Sequence, residues 1–264
     1  MSSCRVVFIT QEDPFYVRLF FEEFFAEYSA RARVAAVVIA PTMGKKSTGK
    51  LAAQMYEFYG AVDFIRMSLK YLWYRIAVRL PWTGKVGSFY SIEQVCSHYG
   101  IRVVHARSVN EPAFLADLRA IGPDLVVSVA APQIFNAPLI ALPRFGCINI
   151  HNAKLPKYRG MLPNFWQMFN GESVLGATVH RINASLDDGA ILAQSETATV
   201  AGESLHSVIC RTKRQGAHLM MSVIERIGSG TITELPNPKE ESSYYTFPKK
   251  ADVQEFRRRG HRLL

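Results

Sequence analysis

The first 150 residues alternate short apolar runs with amphipathic stretches, and this alternation constrains the fold more than any other feature. Residues 5–10 (RVVFIT) are apolar almost throughout, as a strand covered on both faces requires. Pro14 can open a helix that carries Phe20, Phe21, Phe24 and Phe25 along one stripe. Residues 34–40 (VAAVVIA) read as a second strand, 91–98 as a helix and 102–105 as a strand. A helix over 111–121 stops at Gly122-Pro123, followed by a strand at 124–130 (DLVVSVA), a short helix at 134–142 and a strand at 147–151. Repeated βαβ units of this kind specify an α/β fold with a doubly wound, Rossmann-like, mostly parallel sheet.

The pattern then changes. A helix is expected at 164–170, with strands at 176–182 and 190–200 on either side of Asp187-Asp188-Gly189. Residues 205–227 have the spacing of a long amphipathic helix, and a last strand falls near 231–235. An aromatic knot at 244–248 (YYTFP) and a short basic helix close the chain. The organisation expected is a catalytic domain over 1–235 with a helical insertion at 42–88, then a C-terminal extension over 236–264. The insertion is too long for a βα loop. Its stretch 61–80 holds five charges, too many for an ordinary transmembrane span. At about 100° per residue Arg66 and Lys70 point away from Arg75 and Arg79, so an interfacial membrane helix is not expected either. Packing of the insertion on the sheet edge is.

The chain carries 31 Lys and Arg against 22 Asp and Glu, a net charge of +9, and the excess is local. Residues 42–86 hold eight basic and two acidic side chains, and residues 249–264 hold six and two. Such concentration points to an anionic substrate or surface at those two places, and away from a protein coated for nucleic acid. Cys4, Cys96, Cys147 and Cys210 have neither metal-ligand nor C-x-x-C spacing and read as core thiols in a reducing, cytoplasmic setting. No metal site is expected. The opening MSSCRVVFIT has no charged region ahead of a long apolar one and reads as a strand, not a signal peptide.

The segment GKKSTGKL (44–51) imitates a phosphate-binding loop, but Leu51 stands where Ser or Thr would hold magnesium. Nucleotide hydrolysis is therefore not expected. A stronger signal lies in NIHNAKLPKYRG (149–160), where Asn149 and His151 end an apolar strand beside a loop. In open α/β sheets the ligand crevice lies beyond the carboxyl ends of the strands. The next acidic candidate is Asp187, thirty-eight positions after Asn149. A carboxamide, an imidazole and a carboxylate brought together would suit acyl transfer to an amine. Each one alone is more often structural, so the weight rests on the set.

The same residues resemble the catalytic core of the 10-formyltetrahydrofolate-dependent formyltransferases, which act on glycinamide ribonucleotide, methionyl-tRNA or amino sugars. Asn149, His151, Leu155, Pro156, Tyr158, Gly160, Gly176, Thr178, His180, Leu186, Asp187 and Gly189 match that signature in order. The match covers about residues 90–200. Asn152-Ala153-Lys154 depart from the family's Pro-Ser-Leu, and Thr10-Gln11-Glu12-Asp13-Pro14 replace its usual first loop.

The resemblance implies direct formyl transfer from 10-formyltetrahydrofolate to a primary amine through a tetrahedral intermediate, with no metal. Asn149 and protonated His151 would face the oxyanion, His151 would carry the proton, and Asp187 would hold the imidazole and a relay water. His180 would be a supporting group. Gln133, Ile134, Phe135, Leu155 and Pro156 would fall at cofactor-binding positions. The acceptor expected is a small, anionic amine, a nucleotide-linked amino sugar, because Trp166 to Glu172 (WQMFNGE) and Thr178 to His180 follow the sugar N-formyltransferase pattern. About thirty residues after the last expected strand leave no room for a tRNA-binding barrel. Methionyl-tRNA formyltransferase-like activity, formyltetrahydrofolate hydrolysis and a non-catalytic folate or sugar binder are the rival readings. The aromatic knot and the insertion are candidate surfaces for a homodimer.

Overall fold

The computed structural model describes residues 4–28, 33–41 and 48–264. Its strands are β1 (Arg5–Gln11), β2 (Arg33–Ala40), β3 (Val103–His105), β4 (Leu125–Val129), β5 (Cys147–His151), β6 (Arg159–Gly160), β7 (Val174–Arg181), β8 (Ile191–Ala198) and β9 (Tyr244–Tyr245). Seven of them form one sheet in the order β3-β2-β1-β4-β5-β7-β8, and β6 pairs with β9 in a separate ribbon. The first five are parallel; β7 and β8 each run antiparallel to the strand before them in the sheet. The doubly wound, mostly parallel reading of the sequence therefore holds. Strand order reverses between β1 and β4, so a crevice opens at their carboxyl ends beside β5.

The helices are α1 (Val17–Tyr28), α2 (Thr48–Ala77), α3 (Ile92–His98), α4 (Pro112–Ile121), α5 (Ala137–Ile140), α6 (Pro163–Phe169), α7 (Leu205–Ser229) and α8 (Lys250–Arg258). Successive residues of β1 point to opposite faces of the sheet. Val6 and Phe8 face α1, α3 and α7, where Phe8 meets Phe20, Phe21 and Phe24 at ring-centroid distances of 5.0–6.2 Å. Val7 and Ile9 face α4 and α5 through Leu115, Leu118 and Leu139. A third cluster joins α2, α6 and α8 through Phe58, Phe165 and Phe256, the last two stacked at 4.5 Å.

Three expectations change on folding. Only Ala137–Ile140 of the stretch 134–142 is helical, because Asn136 stops the helix there by accepting the Leu139 N–H. The strand expected at 231–235 is reduced to one bridge between Leu235 and Ile191. The arginines of the basic tail are held by the fold: Arg257 donates to the Tyr59 carbonyl at 2.6 Å, Arg258 pairs with Glu255, Arg259 with Glu255 and the Phe169 ring, and Arg262 donates to the Gly202 carbonyl. That Tyr59 carbonyl is available because α2 breaks at Gly60, whose φ of 71° leaves the helical range. Half of the phosphate-loop imitation, Gly44 to Ser47, lies outside the described residues.

Candidate active site

β5 delivers Asn149 and His151 to the crevice, and the turn between β7 and β8 brings Asp187 over them. His151 and Asp187 are 6% and 7% exposed, so the group sits below the surface. His151 Nε2 lies 2.7 Å from the Tyr158 carbonyl, which can only accept. Nε2 therefore carries the proton, and in the neutral ring Nδ1 is left with its lone pair, 3.6 Å from Asp187 Oδ2. Burial pushes the His151 pKa down; Asp187 works against that without reversing it. The resting imidazole is thus a neutral acceptor at Nδ1, and the protonated His151 of the sequence reading describes the ring only after it has taken a proton.

His180 is part of the same group. Its Nδ1 donates to the Arg181 carbonyl at 2.7 Å, so its Nε2 accepts from Asn149 Nδ2 at 3.1 Å. This fixes the Asn149 amide with its second N–H and its oxygen unused by His180. His180 Nε2 is also 3.6 Å from Asp187 Oδ1. Burial alone would raise the Asp187 pKa, but His151, His180 and the Gly160 N–H, which reaches Oδ2 at 3.0 Å, together hold it down to about 2.

The turn bearing Asp187 is clamped from elsewhere. Arg159 Nη1 donates to Asp188 Oδ1 at 2.6 Å, with both side chains buried. Asn237 Nδ2 reaches the Asp187 and Gly189 carbonyls, each at 3.0 Å, and Asn237 Oδ1 accepts from Arg159 at 2.9 Å. Backbone strain gathers here: Ala130, Tyr158, Leu162 and Asp187 are the non-glycine residues with positive φ among the described residues, and all four flank the crevice or its loops. Sequence reading missed the clamp, because Arg159 stands beside Lys154 and Lys157 in one basic loop and Asn237 has no local signal.

The expected cofactor positions divide. The Phe135 side chain is in the core at 3% exposure, so only its backbone is left for a ligand. Gln133 Oε1 accepts the Val109 N–H at 2.9 Å and Ile134 O accepts from Asn110 at 2.8 Å, which stiffens this loop. Leu155 N and O are taken by Thr178 Oγ1 at 3.0 Å and Gln194 Nε2 at 2.7 Å. The Leu155 side chain is 2% exposed and belongs to the core like Phe135, so apolar surface open to a ligand is left only at the half-buried Pro156 and the exposed Ile134. On the acceptor side, Lys213 of α7 donates to Asn152 Oδ1 at 3.2 Å, and burial lowers its pKa against the pull of Asp13. Asn152 stands where the resemblance has Pro, and its buried Nδ2 has no partner among the described residues.

Known proteins resemble this chain in sequence and in fold. The formyl transferase family matches over residues 83–224, more than half of the chain. A methionyl-tRNA formyltransferase of Lachnospira eligens is 36% identical over 146 residues, 55% of this chain and 46% of that protein. The Geobacter metallireducens methionyl-tRNA formyltransferase is 34% identical over 161 residues, covering 61% and 52%. The chain thus spans about half the length of the curated relatives it matches. Among solved structures, glycinamide ribonucleotide transformylase 1 from Symbiobacterium toebii superposes with a TM-score of 0.60 at 16% identity, covering 89% of this chain and 95% of that one. A sugar N-formyltransferase from a Shewanella species gives 0.56 at 19% identity, covering 92% and 77%. At those identities the structures speak for the fold alone. The sequence match over residues 83–224, which contain Asn149, His151 and Asp187, establishes that the chain belongs to the formyl transferase family.

Proposed function

We propose that this chain transfers a formyl group from 10-formyltetrahydrofolate to the primary amine of a small acceptor, an amino sugar carried on a nucleotide. The observation that carries the reading is the buried His151, with Nε2–H committed to Tyr158 and the Nδ1 lone pair 3.6 Å from Asp187 Oδ2. The folate supplies the activated formyl group. His151 Nδ1 takes the proton that the attacking amine sheds, and Asp187 then faces the imidazolium it creates. The Asn149 N–H not given to His180 is available to the oxyanion that forms on the formyl oxygen, and a preorganised donor of this kind is worth on the order of 10²-fold in rate. The imidazolium returns its proton to the departing folate nitrogen. Ile134 and Pro156 would line the folate side with apolar surface, while Lys213 offers a cation to an anionic acceptor.

The sequence relatives, methionyl-tRNA formyltransferases, favour a second acceptor, methionyl-tRNA, although only about half of each is matched. One experiment separates the readings. Loss of 10-formyltetrahydrofolate is followed spectroscopically with a panel of nucleotide-linked amino sugars, with methionyl-tRNA and with no acceptor. Turnover that needs one amino sugar and vanishes in His151→Ala supports the proposal. Turnover with methionyl-tRNA alone moves the acceptor, and equal turnover with no acceptor makes the chain a hydrolase. Folate binding with no turnover on any acceptor overturns the enzymatic reading in favour of a binder.

A further inference from the structure

The second half of α2, from Ala61 to the end of the helix, has two faces of different chemistry. Met67, Tyr74 and Ala77 turn inward, where Tyr74 meets Phe15 and Tyr90, and Lys70 Nζ reaches His206 Nε2 at 3.3 Å. The opposite face is apolar and open: Val62, Ile65, Leu69, Leu72, Trp73 and Ile76 are all exposed, Leu69 by 62%. Beyond the helix Trp82 is 67% exposed and Val86 follows it. Half of the exposed large apolar side chains among the described residues fall between Val62 and Val86. Patches of this kind on one element mark an interaction surface.

The charges around the patch limit what can cover it. At about 100° per residue the six helical apolar residues fill an arc of about 100°. Arg66 lies about 20° past one edge and Arg75 about 60° past the other. Arg66 is also 3.6 Å from Asp63. Arg79 follows in the turn after the helix, with Nη1 on the Arg75 carbonyl, and Lys85 lies further along, beyond Trp82. No Asp or Glu occurs from Phe64 to Ile92. The opposed directions of these basic residues weigh against an interfacial helix only while the apolar side is unknown. Once that side is placed between them, the helix has an apolar face flanked by cations on both edges, with indole rings at one end.

We infer that this face of α2 docks on a bilayer surface rich in anionic phospholipid, lying in the plane of the interface with Val62, Leu69, Leu72 and Ile76 among the head groups. Long basic side chains at the edges of such a helix bury their stems and leave their charge at the phosphates. Lying on a membrane is distinct from spanning it, and no helix among the described residues is long and apolar enough to span. A second copy of the chain is the poorer occupant. A self-pairing face would set Arg66, Arg75 and Arg79 close to their own copies, and residues 64–92 contain no carboxylate to pair with them.

The test is co-sedimentation of the purified full chain with vesicles of phosphatidylcholine alone, or of equal parts phosphatidylcholine and phosphatidylglycerol. Binding is expected to the mixed vesicles only, weakening as salt rises, with a blue shift of tryptophan emission because Trp73 and Trp82 enter the interface. Each basic residue near an anionic surface contributes about fivefold to partitioning. The triple variant Arg66→Gln/Arg75→Gln/Arg79→Gln should therefore bind roughly a hundredfold more weakly. Leu69→Gln/Leu72→Gln should lose binding while keeping the parent circular dichroism and melting temperature. Absence of binding to the mixed vesicles, or unchanged binding in both variants, overturns the inference. So does a dimeric mass by light scattering that the leucine variant converts to a monomer, since the face would then serve a second copy. None of these readouts depends on formyl transfer, so the two proposals fail separately.

Discussion

The Tyr158 carbonyl receives the Nε2 proton of His151 at 2.7 Å, and that single bond decides which nitrogen of the ring can work. Tyr158 can turn its carbonyl inward because it holds a positive φ of 62°. Nδ1 is therefore the basic atom, and burial keeps it weakly basic.

A pH profile follows from the sign of that shift. A base whose pKa is lowered is already deprotonated at neutral pH, so kcat/KM should be level around pH 7 and fall only in acid, through an apparent pKa below 6.5. In Asp187→Asn the charge that favours the imidazolium is gone. The acid limb should move to still lower pH while the rate drops on the order of 10²-fold. A limb that moves upward would contradict this account of His151.

Asp187 also gives stability a pH dependence. Its folded pKa is depressed from 3.8 to about 2, so its stabilising effect is complete above pH 4 and disappears as the pH falls through about 2. The full effect is about 2 kcal/mol. Melting temperatures measured between pH 5 and 2 should fall more steeply for the parent than for Asp187→Asn, with the two curves converging in acid.

Asn237→Ala tests the clamp. It leaves the Asp187 and Gly189 carbonyls and Arg159 without their shared partner, at a cost of about 1–3 kcal/mol. Because it loosens the turn that bears Asp187, kcat should fall more than KM rises. Denaturant unfolding and steady-state kinetics on the same preparation read both effects.

Gly176→Ala should be poorly tolerated. A Cβ there would lie 2.6 Å from the backbone nitrogen of Lys154, and the strand and the loop after His151 would have to part. A loss of about 1–3 kcal/mol is expected from such overpacking, visible as a lower denaturant midpoint.

Phe256→Ala removes the ring stacked on Phe165 at 4.5 Å and should cost about 3–5 kcal/mol. The Trp166 environment, coupled to the same cluster, should change in near-ultraviolet circular dichroism.

The sheet was legible in the sequence because parallel strands buried on both faces are written as apolar runs, and β1, β2, β4 and β5 appear within a residue or two of their expected places. Asn149, His151 and Asp187 were legible because a strand end and a turn each carried an unusual polar group. Their contacts were not. His180 was expected as a supporting group, but only the register of β5 on β7 sets it opposite Asn149. Asn237 is fifty residues from Asp187, and only the folded chain brings them into contact. Of the strand expected at 231–235 only Leu235 reaches the edge strand β8, at Ile191.

The dependence of the Asp187 turn on Asn237, and of β6 on β9, has a consequence for synthesis. On the ribosome, β1 to β8 emerge first and can assemble the sheet, with His151 already in place. The turn stays untied until Asn237, and β6 unpaired until Tyr244 and Tyr245, have left the exit tunnel. A nascent polypeptide that stops short of residue 237 would thus hold every strand of the main sheet with the turn that bears Asp187 untied.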